Sequence, residues 1–413
     1  MRKKGLNHSF KLKSKVMESI LSESDRKISG VSMEFVRYMI DEINWNSQLV
    51  AVKGARGVGK TTLLLQYMSK QKMKSPQALY ISMEHQYFYD NRLIEMADKF
   101  YKNGGKYLFL DEVHKYPNWS REIKLIYDNY PEIKLVFTSS SILNINMGEA
   151  DLSRRAISYT MTNLSLREFI DLDSGIKLNR YSLNDILTNH QEIALDINKK
   201  IKPIKEFSDY VKYGAYPYFK EDKSEYHAKL LSISSLIMEV DINTFYNPDY
   251  ILIYKLKRLL FAIAESSPFT PNVAKLSERI GVSRPTLLKT FKYLQEALLI
   301  IAANKPNNGI GALSKPDKLY LHNSNLIYAY GKEHANVGNI RETFFINQLM
   351  KEHKVNVSTK ADFLIDNKYT FEIGGKSKGK KQIADIKNSF IIKDDIESGV
   401  LNIIPLWLFG FMY

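Results

Sequence analysis

Gln48-Leu49-Val50-Ala51-Val52-Lys53-Gly54-Ala55-Arg56-Gly57-Val58-Gly59-Lys60-Thr61-Thr62 is the stretch whose reading decides the fold. Gln48 to Lys53 reads as a strand, and a helical pattern follows from Thr61 to Lys70. Between them, Gly54-x-x-x-x-Gly59-Lys60-Thr61 completes the P-loop pattern. Glycines let backbone N–H groups turn inward around phosphate oxygens, and the first turn of the helix adds the positive end of its dipole. Gly54, Ala55, Arg56, Gly57, Val58, Gly59, Lys60, Thr61 and Thr62 are therefore the expected ATP cradle. Lys60 would bring a point charge to the β- and γ-phosphates, and Thr61 a hydroxyl to Mg²⁺.

The second half of an ATP site is an apolar strand that ends in acids. Tyr107-Leu108-Phe109-Leu110-Asp111-Glu112 has this form. Asp111 is expected to hold Mg²⁺ through water, and Glu112 to polarise the attacking water as general base. A further strand, Lys134 to Phe137, runs into Thr138-Ser139-Ser140-Ser141, where a hydroxyl could sense the γ-phosphate; Ser140 is the residue assigned here. Arg154 and Arg155 come next, and an arginine near the γ-phosphate would stabilise charge developing in the transition state. With Ala78–Met83 and Ala156–Thr160 as further short apolar runs, strands alternate with helix-like segments. That alternation predicts an α/β fold with a parallel sheet between layers of helices.

The whole chain sets outer bounds. At 413 residues two or three domains are expected, and 44% hydrophobic residues leave material for real cores. A net charge of +14 suits either a polyanionic partner or a lysine-rich soluble surface. The absence of cysteine excludes disulfides, thiolate zinc sites and cysteine nucleophiles, and fits a cytoplasmic location. The basic start, Met1-Arg2-Lys3-Lys4, lacks the apolar stretch of a signal peptide. Residues 401–413 are too short for a membrane span and are expected to be buried, so no membrane partner is expected. The eight histidines are scattered singly and predict no metal cluster; His114 has no identifiable partner.

The order of motifs resembles prokaryotic AAA-like P-loop ATPases that carry a winged-helix segment and a C-terminal restriction-endonuclease-like domain of unknown function. The matching residues are Gly54–Thr62, Leu108–Glu112, Thr138–Ser140, Ser153-Arg154-Arg155, Leu164-Ser165-Leu166-Arg167-Glu168-Phe169 and Tyr213-Gly214-Ala215-Tyr216-Pro217. The resemblance implies an ASCE-type P-loop fold with Glu112 as catalytic acid and Arg155 as the family arginine, acting in its own subunit or a neighbour. Residues 1–30 would be a basic, loosely held leader and 31–170 the ATPase core. Residues 171–250 would be a helical lid or linker, with a variable insertion at 171–205.

Residues 251–334 are expected to be a winged helix. Val273–Ile280 and Arg284–Ala297 flank the turn Gly281-Val282-Ser283, and Leu298–Ala302 and Lys318–Leu321 would form a hairpin around Asn307-Asn308-Gly309. Duplex DNA could meet residues 273–297 through Arg284, Thr286, Lys289 and Lys292; the other reading is a protein-packing module, in a homo-oligomer or with another partner. In residues 335–413 the nuclease pattern would use Glu342, Asp362 and Glu372, but its lysine position is Gly374. A nuclease-like fold without nuclease activity is expected, with Lys376 or Lys378 as candidates to reach in. Three functions remain open: an Mg²⁺-dependent ATPase, an ATP-gated DNA-binding regulator, or an ATP-linked nuclease.

Overall fold

In the computed structural model, residues 2–139, 152, 154–243, 250–266, 270–306, 315–379, 383 and 385–413 are described, with side chains from Val16 onward and excepting that of Tyr250. The chain divides into two compact units, Met1–Met161 and Thr162–Tyr413.

The first unit is built on five parallel strands: β1 (Leu49–Gly54), β2 (Ala78–Ser82), β3 (Tyr107–Asp111), β4 (Lys134–Ser139) and β5 (Ile157–Met161). Their order across the sheet is β2-β3-β4-β1-β5. The central strands are buried over nearly their whole length, which is why each reads as a continuous apolar run instead of an alternating one. Helices α2 (Lys60–Lys70), α3 (Leu93–Lys102) and α4 (Trp119–Asn129) connect them. Leu93, Met96, Ala97 and Phe100 of α3 join Trp119, Ile123 and Ile126 of α4 in a shared core with the sheet. The expected α/β sandwich is therefore present.

The leader differs from expectation. Residues Arg2–Gly30 form helix α1, and Met17, Ile20, Ser24 and Ile28 are buried. These positions recur every three or four residues and make one buried stripe within a charged sequence. The Ser24 hydroxyl accepts the Tyr80 N–H of edge strand β2 at 2.9 Å, and Asp25 accepts from the Ser75 N–H and hydroxyl at 3.1 and 2.6 Å. The helix thus covers an edge that would otherwise present an unpaired donor.

In the second unit the helices α5 (Leu166–Ser174), α6 (Leu183–Asn198), α7 (Pro203–Tyr213) and α8 (Tyr226–Leu236) come first. Then follow α9 (Tyr250–Glu265), α10 (Val273–Ile280) and α11 (Arg284–Glu296), the antiparallel pair β6 (Ile300–Ala303) and β7 (Lys318–Leu321), and α12 (Ser324–Gly331) and α13 (Val337–Leu349). A mixed sheet closes it: β8 (Val355–Val357), β9 (Phe363–Ile365), β10 (Tyr369–Gly374), β11 (Ser389–Lys393) and β12 (Ile403–Pro405), in the order β12-β11-β10-β9-β8. The stretch 171–205 is no loose insertion, because Ile186, His190, Ile193, Ala194 and Ile197 bury one side of α6. Of residues 401–413, expected to be buried, 404–413 are buried, whereas Leu401 is exposed. Among the described residues no helix is long and apolar enough to cross a membrane.

Two of the motifs outside the P-loop turn out to tie this unit together. In the Leu164–Phe169 run, the Ser165 side chain accepts the Glu168 N–H and the Glu168 carboxylate accepts the Ser165 N–H, a capping box that starts α5. In the Tyr213–Pro217 run, the Ala215 N–H donates to Asn325 Oδ1 at 2.8 Å. Asn325 Nδ2 donates in turn to the Tyr210 and Val211 carbonyls at 3.0 and 2.9 Å, all within a buried setting. Asn325→Leu fills similar volume but strands the Ala215 donor, so a loss of about 2–4 kcal/mol in unfolding free energy is expected by denaturant titration. An unchanged midpoint would show that these bonds contribute nothing net.

Candidate nucleotide site

The P-loop lies between β1 and α2, at the edge of the sheet where the parallel strands end. Gly59 immediately precedes the helix with φ 99°, a left-handed conformation that a side chain would strain. The Val58 carbonyl accepts from buried Arg37 Nη1 at 2.8 Å, a brace that no motif signals. Gln66 on α2 donates to the Ser32 and Phe35 carbonyls at 2.8 and 2.7 Å, holding the chain that precedes β1 against the same helix. Lys60 is buried, and its Nζ donates to the Gly54 and Ala55 carbonyls at 3.0 and 2.9 Å.

Asp111 stands at the end of β3, buried, beside Thr61. The Thr61 hydroxyl donates to Asp111 Oδ2 at 2.7 Å, and the Tyr80 hydroxyl donates to the same oxygen at 2.8 Å. The Thr138 hydroxyl donates to Asp111 Oδ1. Burial, followed by the Asp111 charge, pushes the Tyr80 phenol far above its ordinary range, so it remains a donor. Thr61 and Asp111 therefore present adjacent oxygen ligands, a donor set of the hard kind that suits Mg²⁺. Among the described residues no group of three or more His, Asp or Glu is arranged to hold a metal by itself. Mg²⁺ characteristically takes one or two carboxylates together with phosphate oxygens, so this pair fits it.

Glu112 follows with φ 57° and ψ 44°, left-handed backbone for a residue that carries a side chain. Its N–H donates to Thr138 Oγ1 at 3.1 Å. The short turn Val113–Lys115 returns His114 toward it, so that His114 Nε2 lies 3.3 Å from Glu112 Oε2. His114 Nδ1 is 3.0 Å from Ser139 Oγ at the tip of β4. Burial first, then the charges of Arg56, Lys115 and Lys60, lower the His114 pKa to about 3, which makes the ring neutral at physiological pH. The partner that sequence did not reveal for His114 is thus Glu112, two residues away, together with a serine on the neighbouring strand.

Arg155 requires a correction. It precedes β5, whose Ile157 is level with Val50 at the start of β1, while Met161 is level with Gly54. Arg155 is therefore at the opposite edge of the sheet, roughly 20 Å of strand from the phosphate loop. There it pairs with Asp128 at 3.1 Å and lies over the Tyr127 ring. It cannot act on the P-loop of its own subunit. Ser140, expected at the β4 tip, and Ser153 lie outside the described residues; Thr138 and Ser139 are the hydroxyls seen there.

In the second unit, helices α10 and α11 are joined through Gly281-Val282-Ser283, with the Ser283 hydroxyl accepting the Thr286 N–H at 3.3 Å. Arg284, Lys289 and Lys292 are exposed on α11, with Thr286 half-buried. The expected hairpin tip at Asn307-Asn308-Gly309 lies outside the described residues. The three acids of the C-terminal segment do converge, with Glu342 and Glu372 buried and Asp362 half-buried. Lys318 Nζ is 3.0 Å from Glu342 Oε2 and 3.6 Å from Asp362 Oδ1, and the Tyr320 hydroxyl donates to Glu342 Oε2 at 2.6 Å. Asp362 Oδ2 accepts the Ile373 N–H at 2.8 Å. Lys378, one of the two lysine candidates, pairs with Glu372. A Cβ at Gly374 would lie 2.7–2.8 Å from the Lys378 side chain, so the glycine makes room for that lysine to reach across. Burial raises the pKa values of Glu342 and Glu372 despite these cations.

Residues 46–170 match the protein family described as an AAA domain. An uncharacterized protein of Methanocaldococcus jannaschii is 24% identical over 297 residues, covering 68% of this chain and 62% of that protein. The chain thus matches about three-fifths of its relative's length. A Walker-type ATPase of Pyrococcus abyssi aligns with 70% of this chain and 93% of its own, at 10% identity and a TM-score of 0.40. AMPPCP-bound DnaA from Aquifex aeolicus aligns with 62% of this chain and 84% of its own, at 13% identity and a TM-score of 0.27. The family match spans β1 to β5 with the loop between β1 and α2, and a five-stranded parallel sheet carrying such a loop fits a P-loop nucleotide-binding fold.

Proposed function

We propose that the chain is an Mg²⁺-dependent ATPase of the AAA-like class whose nucleotide state is coupled to residues 162–413. One observation carries the reading: the Thr61 hydroxyl bonds Asp111 at 2.7 Å, joining the phosphate loop to the acids at the end of β3. Thr61 and Asp111 would hold Mg²⁺, which when bound neutralises charge on the β- and γ-phosphates. Lys60 and the N–H groups of the loop bind and orient the phosphate chain. Glu112 takes a proton from water as its oxygen bonds the γ-phosphorus, and the bond from that phosphorus to the β–γ bridging oxygen breaks, releasing ADP and phosphate.

Residues 251–334 are read as a winged helix and 335–413 as a nuclease-like fold that does not cleave DNA. For the latter, Lys318 and Lys378 already neutralise the acids from within the chain. A second reading, an ATP-gated DNA-binding regulator with slow hydrolysis, is favoured by the exposed Arg284, Lys289 and Lys292 of α11. ATP turnover with and without duplex DNA separates the two. A DNA-responsive protein should bind duplex with strong salt dependence, and Lys289→Ala with Lys292→Ala should weaken binding by about tenfold. Turnover and duplex binding both unaffected by this double substitution would leave the ATPase reading alone.

A further inference from the structure

The two acids at the end of β3, Asp111 and Glu112, are both tied to the tip of β4, by different routes. Thr138 donates directly to Asp111. Ser139, the next residue, meets Glu112 through the His114 ring. A carboxylate has no hydrogen to offer the 3.3 Å approach, so the neutral tautomer that suits it carries its proton on Nε2, facing Glu112. Nδ1 is then the acceptor, and the Ser139 hydroxyl donates to it at 3.0 Å. The two ring nitrogens thus face Glu112 and Ser139, and the His114 side chain is only 3% exposed.

The same turn explains the backbone at Glu112. Left-handed φ and ψ at this residue reverse the chain sharply after β3 and bring His114 back beside the carboxylate two residues earlier. Non-glycine residues in this region are uncommon and tend to occur where the surroundings impose them. Here the Glu112 N–H is held by Thr138 and the carboxylate is faced by His114, so backbone and side chain are held from the same strand tip. The Glu112 side chain itself keeps 20% exposure.

We infer that His114 is a positioning residue for ATP hydrolysis: its Nε2–H orients the Glu112 carboxylate, and its Nδ1 links that carboxylate to Ser139 at the end of β4. The inference rests on the reading of Glu112 as general base. It gives the β4 tip a route to the water-activating group as well as to the metal-binding acid. A displacement of Ser139 would move the ring, and with it the carboxylate on its other side.

The test compares full-length wild type with His114→Ala, His114→Gln, Ser139→Ala, Glu112→Gln and the double variant His114→Ala with Glu112→Gln. Phosphate release and ATP affinity are measured separately. Misplacement of a catalytic group by a fraction of an ångström should lower kcat in His114→Ala by about 10- to 100-fold, with ATP affinity within about threefold of wild type. His114→Gln retains an N–H that can reach Glu112 and should recover most of that loss. Ser139→Ala should show a smaller fall, about three- to tenfold, because the ring keeps its contact with Glu112. The double variant should be no slower than Glu112→Gln, since both changes act through one carboxylate. If His114→Ala does not fold, His114→Gln and Ser139→Ala carry the comparison. A slow Glu112→Gln beside a His114→Ala that turns over like wild type, or multiplicative losses in the double variant, overturns this inference alone. A Glu112→Gln that turns over normally refutes the assignment of Glu112, and the inference falls with it.

Discussion

Glu112→Gln is expected to bind ATP with near wild-type affinity and to hydrolyse it about 10²- to 10⁴-fold more slowly, the range associated with removing a general base. The amide has nearly the same shape as the carboxylate, so it should preserve the packing beside His114 and Ser139. It has no proton affinity to offer an attacking water. The left-handed backbone at this position and the N–H bond to Thr138 are unaffected by the substitution. Binding should therefore persist while chemistry fails, a separation that a misfolded variant would not show. Equilibrium binding of a fluorescent ATP analogue beside phosphate release in multiple turnovers gives both quantities.

Lys60→Ala should act earlier, on binding itself. The Lys60 ammonium is buried and is held beside the loop by two backbone carbonyls, Gly54 and Ala55. A buried cation directed at the phosphates makes charge-assisted hydrogen bonds of about 1.5–3 kcal/mol each, so losing one or two weakens ATP binding by roughly 10- to 10⁴-fold. Turnover at fixed ATP should fall with it. The thermal stability of the ligand-free variant should change little, and the stabilisation that ATP gives wild type should vanish. Persistent stabilisation of Lys60→Ala by ATP would move the nucleotide away from this loop.

The central sheet and its loop were legible because their signals are local. Parallel strands buried on both faces read as short apolar runs, and the loop from Gly54 to Thr62 needs only its own residues to be recognised. The leader was harder to read. Met17, Ile20, Ser24 and Ile28 lie among lysines and acids, so composition hid a stripe that spacing would have shown. Arg155 as an arginine of its own subunit's site failed for a topological reason that the sequence contains. β4 and β5 both run parallel to β1, so the chain must return to the starting edge before β5, and residues just ahead of β5 arrive far from the phosphate loop.

The contacts around the acids were not legible, because strand order creates them. Tyr80 reaches Asp111 across the β2–β3 pairing, and Ser139 reaches His114 from the strand beside β3. Neither pairing is implied by distance along the chain. Lys378 was legible only as one of two candidates: the pattern of acids pointed to position 374 for a lysine, while the chain supplies one four residues later over a glycine.

Phosphate release from ATP with Mg²⁺, measured for wild type and Glu112→Gln at matched nucleotide occupancy, tests the central claim most directly. The account predicts steady turnover by wild type and a rate at least about 100-fold lower for the variant. Equal rates in the two proteins, or no turnover by fully occupied wild type, would contradict it.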